Sequence, residues 1–336
     1  MSRLAPRLAM IAAVASIAAT ALPACAETLT VYTYDSFISE WGPGPAIETA
    51  FEAQCGCDLV WVGVDDAGLL LTRLRLEGAA TEADVVLGLD TALMADAQAS
   101  GLVEAHGLTY PPLDLPMDWS DPVWVPVDYG YFAVIYDSER LPDPPASFAE
   151  LVEGTDDARI IIEDPRTSTP GLGLLLWVKT LYGEEAPQAW QGLSRRVLTV
   201  TKGWSEAYGL FLDGEAPMVL SYTTSPAYHL MVDETDRYRA ISFPEGHYMQ
   251  IEVAAMTATT GQPELARQFL SFIVSPGFQK TIPQGNWMYP VIDLGDDLPQ
   301  AFRDLPRPDK ALLLAPSEVA MERPVWIQEW LEAMSQ

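Results

Sequence analysis

Three short segments in the second half of the chain place hydroxyl side chains where a helix is predicted to begin. They are residues 167–171, 204–206 and 223–226, and each follows a predicted strand. Thr169 precedes a proline and Ser205 precedes a glutamate, so both are predicted helix N-caps. The N–H groups at a helix start attract anionic and hydroxylated groups, so three such segments on one sheet edge indicate a ligand site. The alternative is that each is an ordinary cap that serves only its own helix.

Aromatic residues cluster at the same predicted edges. Most tryptophans and tyrosines pack in cores, so one alone would indicate little. Several together predict the walls of a cleft for a flat, positively charged ligand, because stacking and cation–π contacts each contribute about 0.5–2 kcal/mol. Asp66 ends another predicted strand, where it is either an acceptor for a ring amine or the N-terminal acid of a helix. The aromatic set is Tyr34, Trp204, Tyr222, Tyr228 and Trp287.

The sequence carries little that indicates catalysis. It contains no G-x-S-x-G nucleophile motif, no H-E-x-x-H motif and no P-loop. The three histidines are scattered, and His229 and His247 have no evident Ser or Cys partner. Cys55 and Cys57 either close a very small ring or stay as thiols, and two thiols do not build a four-ligand zinc site. We therefore predict no catalytic residue, no metal site and no cofactor.

The charge balance narrows the classes of ligand. The 336 residues carry 19 Lys+Arg and 47 Asp+Glu, which gives a formal net charge of −28. Phosphate backbones require basic counter-charges, so a nucleic-acid partner is excluded. A negative field raises the local concentration of cations, so a cationic ligand is compatible with this charge. Solubility alone is the alternative explanation.

The N-terminal segment has the pattern of a secretory signal. Arg3 and Arg7 precede an apolar run over residues 8–22, and Ala24 and Ala26 form an A-x-A site. The run is shorter than the roughly 20 residues of a membrane span. We predict cleavage after Ala26 and a periplasmic location. The alternative is a lipid anchor on Cys25.

The elements that must position these residues form two α/β units. Strands near residues 29–34, 58–62 and 83–87 alternate with helices, the pattern of a parallel sheet. A long strand-like run over 123–136 is predicted to cross into a second unit, which extends to about residue 256. Ligands of parallel sheets bind beyond the carboxyl ends of the strands. Tyr34, Asp66 and Asp90 are therefore expected to converge on one crevice.

Nine segments resemble the family of periplasmic thiamine-binding proteins, the substrate-binding components of thiamine ABC transporters. The likeness runs from Leu29 to about Trp330. The segments are LTVYTYDSF (29–37), WGPGP (41–45), ADVVLGLD (83–90), DYGYFAVIYD (128–137), DPRTSTPGLGLLLW (164–177), TVTKGWSEAYGLF (199–211), LSYTTSPAYH (220–229), EGHY (245–248) and GNWMYP (285–290).

The resemblance implies an α/β fold of the two-lobe type II periplasmic binding protein class, with the ligand cleft between the lobes. Residues 1–26 would be the signal peptide, 27–125 and 247–300 the two parts of lobe 1, and 126–246 lobe 2. Residues 301–336 would form a C-terminal helical segment packing on lobe 2. The lobes would close over ligand by hinges near residues 124–127 and 247–251.

The resemblance also implies the ligand and the partners. Family ligands are thiamine, its monophosphate and its diphosphate, delivered to a membrane permease with a cytoplasmic ATPase. We expect a monomer with no nucleic-acid partner. Ala67 departs from the family, which often has glycine after the acid. The ligand positions that match are Tyr34, Asp66, Ser168, Thr169, Trp204, Tyr222, Thr223, Thr224, Ser225, Tyr228 and Trp287.

Two other kinds of function compete with this interpretation. One is a binding protein of the same fold for another cation, such as a polyamine or ferric iron. Iron needs clustered Tyr and His ligands, and adjacent tyrosines are absent from the sequence. The other is a secreted thiamine-degrading enzyme, which needs a nucleophile, typically a cysteine, in the cleft. Cys55 and Cys57 precede the second strand, away from the predicted site.

Overall fold

The structure, a computed structural model, describes residues 27–154 and 158–335. The predicted signal peptide, its cleavage site and Cys25 lie outside this part of the chain. Within it, no helix is long and apolar enough to cross a lipid bilayer. The strands are β1 Thr28–Tyr34, β2 Asp58–Val64, β3 Val85–Asp90, β4 Val125–Asp137, β5 Ile160–Glu163, β6 Val197–Thr201, β7 Met218–Tyr222, β8 Tyr238–Ala240, β9 His247–Met256, β10 Tyr289–Pro290 and β11 Ala311–Leu312.

Helices pack against the sheet that these strands form. Short 3₁₀ turns occupy Gly78–Ala80, Gly183–Glu185 and Gly295–Asp297. The helices are α1 Asp35–Ile38, α2 Gly44–Cys55, α3 Ala67–Glu77, α4 Met94–Ala99, α5 Phe148–Glu153, α6 Thr169–Tyr182, α7 Ala186–Ser194, α8 Trp204–Leu212, α9 Ser225–Met231, α10 Pro263–Ile273, α11 Pro276–Gln279, α12 Ile282–Gly285, α13 Gln300–Asp304 and α14 Pro316–Met334.

The sheet is continuous, and its two halves repeat one topology. The strand order is β2-β1-β3-β9-β4-β7-β5-β6. In lobe 1, β1 lies between β2 and β3, and all three are parallel. In lobe 2, β5 lies between β6 and β7 in the same way. The predicted α/β pattern is therefore present twice, although the sequence shows no internal repeat.

Two long strands connect the lobes. Residues 125–131 of β4 pair with β9, and residues 132–136 of the same strand pair with β7 in lobe 2. Every residue of β4 except Tyr136 is buried, as is the whole of β9. The strand predicted over 123–136 is present as β4, and its two ends pair with different strands. β4 and β9 are hydrogen-bonded to each other along this crossing. They therefore fix the position of one lobe relative to the other, so that the parallel strands of both lobes end at one space between them.

The helices dock through apolar faces that the sequence already displays. In α10, Leu265, Phe269, Phe272 and Ile273 are all buried, as their spacing predicts. Phe269 packs edge-on against Phe51 of α2, with ring centroids 5.0 Å apart. Burial of side chains of this size contributes about 1.5–3 kcal/mol each, so this contact fixes α2 and α10 on lobe 1.

The C-terminal helix α14 contacts both lobes. Lys179 of α6 pairs with Glu329 at 2.9 Å, and Arg323 pairs with Asp96 of α4. The expected packing on lobe 2 includes the contact with α6, and the contact with α4 of lobe 1 goes beyond that expectation. The reason is the length of the helix, which at 19 residues extends across both lobes.

A disulfide joins Cys55 and Cys57 at the end of α2. Gly56 between them takes φ +67°, and its N–H donates to the carbonyl of Glu52 at 2.9 Å. This left-handed cap suits glycine because no Cβ obstructs it. The structure therefore contains the small ring, one of the two states that the sequence left open.

Candidate functional site

A cavity of about 410 Å³ lies between the lobes, at the carboxyl ends of the parallel strands. This volume falls within the usual range of small-molecule sites. Lobe 1 contributes the ends of β1, β2 and β3, and lobe 2 contributes the starts of α6, α8 and α9. The lining residues include Tyr34, Trp41, Asp65, Asp66, Asp90, Thr169, Trp204, Tyr208, Tyr222, Ser225, Tyr228, Gln250, Glu252, Asn286, Trp287 and Met288.

The structure brings together most of the site residues expected from the sequence. Ser168, Thr223 and Thr224 are buried but do not line the cavity. Tyr34, Asp66 and Asp90 do converge on one crevice, as their positions at strand ends predict. Direct contact with a ligand stays a prediction for each of them. Eight of the eleven predicted residues lie on the wall: Tyr34, Asp66, Thr169, Trp204, Tyr222, Ser225, Tyr228 and Trp287.

One wall is a stack of aromatic rings on lobe 2. Trp204 lies parallel to Tyr208, with ring centroids 5.0 Å apart, and its indole N–H donates to Ser221 Oγ at 2.8 Å. Tyr208 Oη is 2.9 Å from His229 Nε2, and Asp233 lies 2.7 Å from the other nitrogen of that ring. His229 therefore serves to support the wall, which fixes the orientation of Trp204 before any ligand arrives.

Trp287 stands at the edge of the cavity in a strained backbone conformation. It takes φ +56°, which is uncommon for a bulky residue. Its ring meets Tyr228 edge-on at 5.1 Å and is stacked on Phe302 at 6.4 Å. Such strain persists where the surroundings hold a side chain in place, and it concentrates at ligand sites. Trp287 and Tyr228 thus form a second, rigid aromatic corner.

Asp66 of lobe 1 hydrogen-bonds to lobe 2. Its Oδ1 accepts from the N–H of Thr169 at 3.1 Å and from the N–H of Ala67 at 2.7 Å. Burial raises the pKa of Asp66, and the hydrogen bonds from Thr169 and Ala67 offset only part of that effect. The backbone N–H of Trp204 acts in the same direction as these two bonds. The Asp66 carboxyl group of lobe 1 therefore interacts with the first turns of both α6 and α8 in lobe 2, across the space between the lobes.

The predicted capping of these helices is wrong in detail. Ser168, not Thr169, is the N-cap of α6, and Gly203, not Ser205, is the N-cap of α8. The third segment caps at Thr224, with Ser225 already inside α9. None of the three caps makes a side-chain hydrogen bond to its own helix. For α6 the physical reason is that Asp66 from the opposite lobe already accepts an N–H of the first turn.

The floor of the cavity is acidic. The Tyr34 hydroxyl donates to Glu252 Oε2 at 2.9 Å, and Asn286 donates to Asp128 Oδ2 at 2.7 Å. Burial raises the pKa of Asp90 and that of Asp128 to about 7, and it holds the pKa of Glu252 well above its ordinary value. The region beneath the aromatic walls is therefore a group of buried carboxyl groups whose pKa values burial raises toward or above neutrality.

Several lining residues were not predicted from the sequence. Glu252 and Gln250 lie inside β9, whose largely apolar pattern predicts a buried strand and no site residue. Asn286 adjoins Trp287 in the G-N-W-M-Y-P loop, where only the tryptophan is a predicted site residue. Trp41 lies in the W-G-P-G-P segment and is 56% exposed at the rim of the cavity. The available signal for Glu252 is that it is the single acidic residue of a largely apolar strand, where a buried carboxyl group is costly unless it has a partner.

In the part of the chain that the structure describes, neither grouped metal ligands nor a cysteine lies on the cavity wall. Across residues 27–154 and 158–335, no three His, Cys, Asp or Glu side chains are arranged to hold a metal ion. Cys55 and Cys57 are joined to each other and do not line the cavity. The cavity is a preformed pocket with aromatic and acidic walls between two α/β lobes. A pocket of this kind between two lobes is typical of a solute-binding protein, and we assign the protein to that class.

Comparison with known proteins agrees with this class. The profile of the bacterial extracellular solute-binding proteins matches residues 43–284. The "Thiamine-binding periplasmic protein" of Brucella suis is 56% identical over 309 residues, which cover 92% of each chain. The protein of the same name from Escherichia coli K12 is 55% identical over 307 residues, which cover 91% of this chain and 93% of the relative.

A solved structure agrees as well. The structure titled "Periplasmic thiamin binding protein" superposes with a TM-score of 0.90 at 54% identity, covering 93% of this chain and 97% of that one. The fold is that of the type II periplasmic binding proteins. The chain belongs to the family of periplasmic thiamine-binding proteins, within the bacterial extracellular solute-binding proteins.

Proposed function

We propose that this protein binds thiamine in the periplasm and delivers it to the permease of an ABC transporter, which works with a cytoplasmic ATPase. The observation that carries the proposal is the cavity, which has aromatic walls from both lobes above a floor of carboxyl groups. Thiamine joins a flat aminopyrimidine to a cationic thiazolium ring, so both stacking and charge favour it. The high identity to relatives named for thiamine supports the same ligand.

The mono- and diphosphates of thiamine are included in this proposal. Ser225 on the wall supports a place for the hydroxyethyl or phosphate tail. Asp66 supports recognition of the amine on the pyrimidine ring. Closure of the two lobes over the stacked rings would present the loaded form to the permease.

We further propose a monomer that needs no cofactor and catalyses no reaction. The disulfide leaves the thiamine-degrading alternative without a cysteine nucleophile on the described cavity wall. The iron alternative lacks a histidine on the described cavity wall, and no three His, Cys, Asp or Glu side chains of the described residues are grouped to hold a metal ion. A polyamine has no ring to stack on Trp204 or Trp287, so the aromatic walls favour thiamine over it.

Calorimetric titration of the exported chain with thiamine tests the proposal. The protein is first unfolded and refolded, so that a ligand retained during purification does not mask the site. We expect one thiamine per chain, with a dissociation constant in the micromolar range or lower. If neither thiamine nor its phosphates bind, the cavity serves another solute, and organic cations are to be screened next.

Substitution of Trp204 by alanine should weaken thiamine binding about tenfold. The change removes one stacking face, and stacking of a heterocycle on an aromatic side chain contributes about 1–3 kcal/mol. Trp204→Phe is the matched control, because it keeps a smaller aromatic face for stacking while it loses the hydrogen bond to Ser221, and it should weaken binding less than alanine does. Titration of both variants checks this, with thermal unfolding as a test of folding. Equal affinities for Trp204→Ala and the native protein would remove Trp204 from the site.

Salt should slow the association of thiamine. The net charge of −28 attracts the cationic vitamin, and added ions screen that attraction. Rapid-mixing experiments at about 20 mM and about 500 mM sodium chloride should show a rate constant that falls several-fold. The diphosphate is repelled at long range, and its rate should rise instead. Rates independent of salt for both compounds would show that the protein's field does not steer its ligands.

A further inference from the structure

Three acidic residues occupy register-paired positions on three neighbouring strands at the cavity. Asp90 of β3 is the register partner of Glu252 in β9, and Asp128 of β4 is the partner of the same Glu252 on its other side. Partners in antiparallel strands share one face of the sheet, with Cβ atoms about 4.5–5.5 Å apart. We call Asp90, Glu252 and Asp128 the acidic row. All three are buried, and Asp90 and Glu252 line the cavity.

The hydrogen-bond partners of the acidic row are neutral. Glu252 accepts from the Tyr34 hydroxyl, and Asp128 accepts from the Asn286 amide. Asp90 accepts from the backbone N–H groups that follow it. Among the described residues, no lysine or arginine forms an ion pair with any member of the row. The row therefore stands at the ligand cavity without a basic counter-charge in contact with it.

This arrangement is costly to the protein alone. Like charges at directly opposite positions in neighbouring strands are destabilising, and burial of ionised carboxyls is more so. The charged groups that act on Glu252 are Asp128, Asp90 and Asp66, all of them acids. Arg323 attracts Asp90 only from a distance. Tyr34 and Tyr222 have strongly raised pKa values, so both phenols stay protonated. No basic group among the described residues forms an ion pair that would supply the compensating positive charge to the row.

We propose that Glu252, the centre of the acidic row, makes the cavity select a cationic ring over a neutral ring of the same shape. The inference rests on the proposed function, because thiamine is the cation in question. As the cation enters, a carboxylic acid of the row loses its proton to solvent and the carboxylate that remains faces the positive ring. Proton release thus accompanies binding of the cation. Tyr34 is a positioning residue in this scheme, since its hydroxyl holds the Glu252 carboxyl at the floor.

The test compares thiamine with its neutral isostere, in which carbon replaces the positively charged ring nitrogen. The native protein should prefer thiamine about 30-fold, the scale of a buried charge contact, and Glu252→Gln should reduce the preference to about threefold or less. The control is Glu206→Gln, which removes an exposed charge from α8 and should keep the native preference. Glu252→Gln keeps the shape of the side chain, so stacking should still bind both compounds.

A second readout follows the proton. Calorimetry near pH 7, in two buffers that differ in ionisation enthalpy, should show release of up to one proton with thiamine. The neutral isostere should release none, and Glu252→Gln should release less with thiamine than the native protein does. The inference is overturned if Glu252→Gln keeps the native preference, or if both compounds release the same number of protons. If the native protein binds neither compound, the proposed function itself fails, and the inference fails with it.

Discussion

Substitution of Asp66 by alanine should weaken thiamine binding by about 100-fold or more. The side chain joins lobe 1 to the first turn of α6 through the Thr169 N–H at 3.1 Å. Hydrogen bonds to charged groups contribute about 1.5–3 kcal/mol each, and alanine removes this bond together with any contact to the ligand. Titration calorimetry gives the affinity. Small-angle X-ray scattering should show that the native protein contracts with thiamine and that the variant does not.

Two further variants distinguish an effect on lobe closure from an effect on folding stability. Asp66 also caps α3 through the Ala67 N–H, so alanine should lower the free energy of unfolding by about 1 kcal/mol. Asp66→Asn keeps an acceptor oxygen for that cap and should lose about tenfold in affinity. Asp58→Ala, at the exposed far end of β2, should change neither property. An Asp66→Ala protein that contracts and binds as the native one does would show that Asp66 holds nothing together across the cleft.

Substitution of Gly68 by alanine should hold the lobes apart. A Cβ at this position would lie 2.8 Å from the backbone carbonyl of Thr167 and 2.9 Å from that of Arg166. Gly68 belongs to α3 of lobe 1, whereas Thr167 and Arg166 precede α6 of lobe 2, so the clash arises only when the lobes meet. Overpacking of this kind costs about 1–3 kcal/mol, which corresponds to roughly a 10- to 100-fold loss of affinity.

The same change should not damage either lobe. Gly68 is the second residue of α3, and alanine is favoured over glycine in a helix by up to about 1 kcal/mol, so the thermal stability of the unliganded variant should stay equal or rise. Gly261→Ala is the matched control, since a Cβ there meets open space. Unchanged affinity in Gly68→Ala would mean that the lobes bind thiamine without approaching as closely as they do here.

The strands and long helices could be predicted from the sequence because their signals are local. The alternation in β1 and the apolar face of α10 each depend on a few neighbouring residues, and β1 begins one residue before its predicted start. The positions of Tyr34, Asp66 and Asp90 followed from one rule about strand ends. Where a periodic pattern locates a strand, it therefore also predicts which side chains at the end of that strand reach the cleft.

The acidic row and the capping of α6 could not be predicted in this way. Glu252 meets Asp90 and Asp128 only through the register of three strands that are distant along the chain. Thr169 is served by an acid 103 residues earlier, and no local capping pattern reveals that. In both cases a partner from elsewhere in the fold decides the chemistry, so residue type and spacing within one segment predict a polar site but not its partners.

The ten tryptophans are distributed unevenly, and this has a practical consequence. Trp41, Trp204 and Trp287 line the cavity, and the other seven lie elsewhere in the fold. Indole emission responds to the solvent around the ring and to quenching by an electron-poor aromatic in contact with it. Binding of such a ligand should change the fluorescence of all three cavity tryptophans, while the emission of the other seven stays nearly constant. The intrinsic tryptophan fluorescence of the protein should thus report whether the cavity is occupied, and ligand binding and release can be followed in real time without an attached dye.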